Sequence, residues 1–337
     1  MPNDLGTPKT ESPAYIESPG RDVLRTADEN VVATLGHVSL IRVSGPDAAS
    51  FLQSQLTNDV NQPGRAPLAA YCSAQGRVLA LFLVIPVEDG FLLKIQAALA
   101  PAVLSRLRMF VLRAKVELDL AHACMITGLN GPGADALLAN AGLPVPGQPP
   151  GSVAAGNGIT VVRRPGATPR FEIVAQNDAK EVRHLAGLAR LVGHRTWVWL
   201  DIQNGLPEVT PETSDLFVPQ MLNLDGLGGI SFTKGCYPGQ EIVARTHYLG
   251  RLKSRMYRAR VASPAPLHPG IPLYAPNFPG QAAGHVVEAE LGGDGRTDLL
   301  AVIQIAAAQL NAVHVDAAEG PRLQLASLPY PLPAPSG

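Results

Sequence analysis

The stretch "LIRVSGPDAASFL" (40–52) returns later in the chain as "ITGLNGPGADALL" (126–138). Gly45-Pro46 becomes Gly131-Pro132 at an offset of 86, and Phe51-Leu52 becomes Leu137-Leu138. Each copy reads as an apolar strand, a Gly-Pro turn and a helix with one apolar face. In the first copy Ser44 is a candidate N-cap, Pro46 suits the first turn, and Asp47 favours the positive dipole end. Strands follow both copies: "AAYCSAQGRVLALFLVI" and "GFLLKIQ" after the first, "GITVVRR" and "RFEIVAQ" after the second. A helix closes each, "APAVLSRLRMFVLRA" with Leu104, Leu107, Phe110 and Val111 on one side, then "AKEVRHLAGLARLVG". Such an echo indicates two related α+β units. Strand, Gly-Pro, helix is also a common opening, so coincidence stays the alternative.

Working outward, "VVATLGHVSLIRVSG" reads as two short strands broken at Gly36. Residues 1–26, rich in Pro, Ser, Thr and acids, read as a disordered tail without the apolar core of a secretory signal. From Ser254 onward helical periodicity gives way to "RMYRARV", "AAGHVVEAEL", "DLLAVIQIA", "AVHV" and "LQLASL" between Pro- and Gly-rich turns. That pattern predicts a C-terminal antiparallel β-barrel. The expected organisation is a first α+β domain at 27–125 and a second at 126–196. A segment at 197–250 returns to the first domain, a β-barrel spans 251–328, and 329–337 form a tail.

With 337 residues, 46% hydrophobic and 16% charged, the chain can bury cores in two or three domains. Its 27 Lys plus Arg balance 28 Asp plus Glu, and no basic block is present, which speaks against direct nucleic-acid binding. Cys72, Cys124 and Cys236 are too few and too far apart for a disulfide framework or a metal finger, so no metal site is expected. Free thiols fit a reducing compartment, and the expected location is the cytoplasm. The longest apolar run, "VLALFLVIPV" (78–87), is too short to span a bilayer and contains Pro86, so no membrane partner is expected.

Cys236 lies in "KGCYPGQEIVAR" (234–245), where five glycines fall between 226 and 239. "ISF" (230–232) reads as a short strand and "GQEIVARTHYL" as a helix, with Glu241 and Arg245 spaced to pair. Cys236 then occupies a turn before a helix N-terminus, where the dipole and Lys234 favour thiolate and Glu241 opposes it. The plainer alternative is a small side chain filling a corner, as Cys72 and Cys124 are expected to do. His247 reads as a solvated helix residue.

This motif closely resembles the signature of the YgfZ family, folate-binding proteins related to the aminomethyltransferase (T-protein) of glycine cleavage that assist iron–sulfur enzymes. "FLQSQLTNDV", "LDIQNGLP" and "FVPQMLNLDGLGGISFTKGCYPGQE" resemble family segments in the same order. Lys234, Gly235, Cys236, Tyr237, Gly239, Gln240, Glu241 and Arg245 match the signature, and the resemblance makes Cys236, with Lys234, the position tied to activity. It implies a three-domain ring around a central channel that accepts tetrahydrofolate. It places Thr57, Asn58, Asp59 and Tyr71 near the folate, and Asp201 and Gln203 at the pterin edge.

Aminomethyl transfer needs a carboxylate beside the folate nitrogen. In the transferases this acid follows a glycine turn and opens an apolar strand. The matching stretch here, "QGRVLALFLV", carries Ala80 and Leu81, and no acid lies between Asp59 and Glu88. The resemblance therefore implies a tetrahydrofolate-binding accessory protein for maturation or repair of iron–sulfur enzymes, with transient contacts to those proteins or their assembly factors. Effects on tRNA modification would be indirect. The alternative is a folate-dependent aminomethyltransferase or demethylase with a relocated acid, Asp201 or Glu241.

Overall fold

The computed structural model describes residues 19–248, 252–263 and 265–333. Helix α1 (Pro19–Val23) and strand β1 (Val31–Thr34) come first. A first unit follows: β2 (Val38–Ser44), α2 (Ala48–Gln55), β3 (Leu68–Cys72), β4 (Val78–Val87), β5 (Gly90–Gln96), α3 (Ala100–Arg108) and β6 (Glu117–Leu120). The second unit repeats the order: β7 (Cys124–Asn130), α4 (Ala134–Asn140), β8 (Val153–Gly156), β9 (Ile159–Arg164), β10 (Arg170–Gln176), α5 (Lys180–Leu188) and β11 (Arg190–Val192). Its sheet runs β8-β9-β10-β7-β1-β11, against β3-β4-β5-β2-β6 in the first. The first four strands match in order, β8-β9-β10-β7 against β3-β4-β5-β2; beside β7 then comes β1, with β11 at the edge outside it.

The sequence echo is thus a structural repeat, since β2 and β7, and likewise α2 and α4, start 86 residues apart. A side chain on Gly45 would strike the Lys115 carbonyl at 2.4 Å, and one on Gly131 would strike Asn30 at 2.5 Å. Lys115 leads into β6 and Asn30 into β1, so β1 occupies in the second unit the place of β6 in the first.

Period-two alternation gives each sheet two apolar faces. Ile41, Val84 and Leu93 pack under α2 and α3, while Leu40, Leu83 and Leu92 face Ile126, Val162 and Val174 of the second sheet. α4 and α5 cover the far side of that sheet through Leu138, Val182 and Leu185. The layers therefore run helices, sheet, sheet, helices.

Helix α6 (His194–Gln203) leads to a 3-10 turn (Pro219–Leu222) and α7 (Gln240–Tyr248). Between them Val209, Phe217, Leu222, Leu224 and Ile230 join the core of the first unit. The remaining strands are β12 (Ser254–Val261), β13 (Pro272–Tyr274), β14 (Gly284–Leu291), β15 (Thr297–Gln304), β16 (His314–Val315) and β17 (Gln324–Ala326), with α8 (Ile305–Leu310) after β15. They form one antiparallel sheet, β16-β13-β14-β15-β12-β17, curled into a half-barrel. Met256, Val287, Leu300 and Val302 on its outer face enter the core of the first unit. Arg195 pairs with Glu290 at 2.9 Å, and the Trp199 indole N–H donates to Asp298 at 2.8 Å, tying α6 to the same sheet.

Several expectations need correction. Residues 19–26 are not tail: α1 forms there, and Asp22, Val23 and Thr26 are buried. Residues 1–18 lie outside the described residues. β1 falls within the expected first domain yet pairs in the second sheet. Ser44 ends β2, and Asp47 is the N-cap of α2, its carboxylate accepting from the Lys115 N–H at 2.8 Å. The run expected as one strand from Ala69 is two, β3 and β4, split by the turn at Gly76. α3 stops at Arg108, leaving Phe110 43% exposed rather than on an apolar helix face. "ISF" is not a strand, and a helix, α8, interrupts the β region. Tyr330, placed in the expected C-terminal tail, donates its hydroxyl to the Gly205 carbonyl at 2.7 Å. Residues 334–337 lie outside the described residues.

Candidate functional site

The thiol loop is anchored through Lys234. Its ammonium donates to the carbonyls of Gln53 (2.5 Å), Leu56 (2.6 Å) and Asn58 (3.1 Å), where α2 ends. These are acceptors that a helix C-terminus leaves without intrahelical partners, and the dipole there favours a cation. Burial draws the ammonium down to about 8, against which the Asp59 carboxylate pulls upward; the three carbonyl contacts act in the same sense as Asp59. Lys234 also lies over the Tyr237 ring at 5.3 Å, and Tyr237 is buried. The lysine expected to bias the thiol thus spends its three protons on α2.

Gly239 fixes the other end of the loop. Its φ is +80°, and a Cβ would stand 2.5 Å from the Ser73 carbonyl oxygen and 2.6 Å from the Gly76 Cα. Backbone crosses backbone here, and only glycine fits. Gln240 opens α7, and Glu241 and Arg245 lie on it without pairing with each other. His247 is not simply solvated: its ring stacks on Phe232 at 3.8 Å.

Between these anchors Cys236 is exposed, while Cys72 is buried. Its sulfur-bearing side chain lines an open cleft of about 550 Å³, bounded by Ala49, Ser50, Gln53 and Ser54 of α2 and by Asn61. Cys236 stands four positions ahead of Gln240, the first residue of α7, so the helix end acts on it weakly. Cys124 is half-buried rather than core.

Thr57 and Asn58 knit the first unit to the glycine-rich segment. The Thr57 hydroxyl donates to Gly229 O at 2.7 Å and accepts from Ala70 N–H at 2.8 Å. The Asn58 amide donates to Leu68 O and Gly228 O, both at 2.7 Å. Asp59 accepts from the Gln53 amide at 3.0 Å. Tyr71 is buried in the core; burial raises its phenol, with Arg106 pulling the other way. Of the four residues expected near the folate, Thr57 and Asn58 have their polar side-chain atoms engaged by protein partners.

A second polar locus lies where the two sheets meet the half-barrel. Lys94 shares the face of Leu92, Glu172 that of Val174, and the two pair at 2.6 Å, with Arg164 on Glu172 at 3.3 Å. Burial pushes the Glu172 carboxyl up, but Lys94, Arg164 and Arg170 outweigh it and hold it near 2. Asp201 accepts from Arg170 at 2.9 Å, and that guanidinium stacks on Trp197 at 3.9 Å. Gln203 turns away to accept from Arg258 at 2.9 Å, leaving its amide nitrogen buried and unpartnered. Lys94, Arg164, Asp201 and Glu208 line a small chamber with Leu81 and Leu83. Ala80 is fully buried, so of the two residues at the expected acid position Leu81 alone faces the chamber.

Glu208 carries the acid that the sequence reading missed. Burial pushes its carboxyl up to about 7; Asp201 and Glu172 add to the rise, and Lys94 and Arg164 oppose it. Charged residues set alone in apolar runs, Lys94 in "GFLLKIQ", Glu172 in "RFEIVAQ" and Glu208 in "GLPEV", were the available signal. Among the described residues no group of three or more His, Cys, Asp or Glu side chains could hold a metal ion, and no helix is long and apolar enough to cross a membrane.

Comparison with known proteins fits this architecture. The family described as GCVT N-terminal domain matches residues 11–143. The tRNA-modifying protein YgfZ of Edwardsiella ictaluri is 31% identical over 300 residues, covering 86% of this chain and 89% of its own length. That of Colwellia psychrerythraea is 35% identical over 233 residues, covering 68% and 71%. The glycine cleavage system aminomethyltransferase T of Bartonella henselae shares the fold at a TM-score of 0.72 and 18% identity, covering 91% of this chain and 88% of its own. With that coverage by relatives above 30% identity, the chain belongs to the YgfZ family.

Proposed function

We propose that this protein is a tetrahydrofolate-binding accessory factor for maturation or repair of iron–sulfur enzymes. It works through the Cys236 thiolate and affects tRNA modification through those enzymes. The observation that carries this reading is the exposure of Cys236 in an open cleft, on a loop held at both ends by Lys234 and Gly239. An accessible thiol can exchange with a sulfur species or a client cluster. One cysteine cannot hold a cluster alone, so the contact is shared and passing. The names of the relatives support a role connected with tRNA modification, and free thiols suit a cytoplasmic setting.

The residues of the central chamber fit tetrahydrofolate by chemistry. A pterin presents an amidine-like edge of N–H donors, and Asp201 and Glu208 offer acceptors. The chamber, at about 30 Å³, holds one water, so a pterin enters only as lining side chains such as Leu81 and Leu83 move apart. Tetrahydrofolate would supply nitrogens able to carry a one-carbon unit. The arrangement of the units as a ring around a central channel is part of this proposal. Expression of Cys236→Ala in a deletion strain tests the function. Iron–sulfur enzyme activity is expected to stay low, and recovery equal to wild type overturns the proposal.

A second reading, folate-dependent aminomethyl transfer or demethylation, draws on one observation: Glu208 shares the chamber with Leu81. Of the acids first considered for it, Glu241 is exposed on α7 and Asp201 is engaged by Arg170. Methylene-tetrahydrofolate formed from tetrahydrofolate and a methylamine donor would favour this second reading.

A further inference from the structure

Glu208 lines the central chamber, is half-buried, and forms no hydrogen bond or ion pair among the described residues. The other charged groups are already matched. Lys94 and Arg164 are on Glu172, and Arg170 is on Asp201. A carboxyl that lines the chamber without a protein partner leaves its oxygens open to N–H donors of a ligand.

The half-barrel brings a second such group. β14 pairs with β15 in register up to Val286↔Ala301, and then Glu288 pairs with Leu300, which leaves Val287 as a bulge. Without the bulge Glu288 would share the face of Val286, which packs in the interior of the half-barrel. With it, Glu288 takes the face of Leu300, which packs against the first unit. The extra residue therefore turns one carboxyl to the side of the first unit, within electrostatic reach of Glu208. Burial, Glu208, Asp201 and Glu290 all push the Glu288 carboxyl well up.

We propose that Glu208, with Glu288 beside it, is the ligand-reading carboxyl of this chamber. It accepts hydrogen bonds from the N–H groups of an amidine-bearing heterocycle of the pterin type and releases a proton to solvent as it does so. This rests on the tetrahydrofolate reading and adds the residue and the proton linkage. The groups facing Glu208 are Lys94 on β5, Arg164 on β9, Glu172 on β10, Asp201 on α6 and Glu288 on β14. Ligand N–H donors favour the carboxylate over the acid, so affinity follows the ionised fraction.

The test is calorimetric titration of the full chain with 5-formyl-tetrahydrofolate at pH 6, 7 and 8, in two buffers of different ionisation enthalpy. A carboxyl titrating near 7 is about 9% ionised at pH 6 and about 91% at pH 8, so wild-type affinity should rise about tenfold. Roughly half a proton should be released per ligand at pH 7. Glu208→Gln should bind more weakly and show no pH dependence. Glu288→Gln should keep the dependence. Wild-type binding without pH dependence or proton release overturns this inference alone, as does Glu208→Gln with the wild-type profile. Absence of binding at any pH overturns the tetrahydrofolate reading and this one with it. If Glu208→Gln does not fold, the proton release of wild type decides.

Discussion

Replacing Gly239 by alanine should damage the thiol loop, whereas the same change at Gly235 should not. At φ +80° an alanine pays a left-handed backbone cost of about 1–2 kcal/mol. Its methyl would also lie 2.5–2.7 Å from the Ser73 carbonyl oxygen and the Gly76 Cα and N, all main-chain atoms that cannot rotate aside. Overpacking of this kind adds about 1–3 kcal/mol. The sum is about 2–5 kcal/mol, or roughly 3–7 °C in melting temperature for a chain of this size. A methyl added at Gly235 would meet no heavy atom within 4 Å, and its φ is not left-handed, so the alanine variant should stay within about 0.5 kcal/mol. Thermal melts give the global effect. Thiol labelling gives the local one, because Cys72 is buried beside the Ser73 turn and opens to reagent if the crossing is forced apart. A Gly239→Ala protein with wild-type melting and a protected Cys72 would refute the reasoning, and so would equal damage from Gly235→Ala.

In the native protein a disulfide reagent should label Cys236 rapidly. Cys72, whose thiol burial pushes up to about 12, should react only on unfolding, and Cys236→Ala should abolish the fast phase. Lys234→Met strips three carbonyls of their donor and should cost about 2–4 kcal/mol in denaturant unfolding; a loss below about 0.5 kcal/mol would contradict its anchoring role. Lys94→Met leaves the Glu172 carboxylate with a weaker set of buried partners and should cost about 3–5 kcal/mol by the same assay. Glu172 is held near 2 against an unfolded value of 4.5, so its contribution is full above 4.5 and fades as pH falls toward 2. Acid unfolding measured for Lys94→Met should accordingly begin at higher pH than for wild type.

The repeat was legible because strand, turn and helix recur with chemistry that the backbone requires, Gly45 and Gly131 each sitting under a crossing chain. What sequence could not give is that β1 leaves its neighbours to pair in the second sheet, since pairing between distant segments has no local signal. The thiol motif was legible as a whole, but the task of Lys234 was not. Its acceptors Gln53, Leu56 and Asn58 lie about 180 residues away and are backbone atoms, which no side-chain pattern reveals. Thr57 and Asn58 also tie the first unit to carbonyls about 170 residues away, contacts that no local pattern reveals. Glu208 and Glu288 were hidden for another reason. One sits in a stretch without regular structure, and the face of the other is set by a bulge that breaks the period of two.

Titration of tetrahydrofolate into wild type and Cys236→Ala tests the central claim most directly, because it separates a ligand chamber from a reactive sulfur. The account predicts one site per chain with the same affinity in both proteins. Failure of the wild type to bind, or loss of binding with the single sulfur, would contradict it.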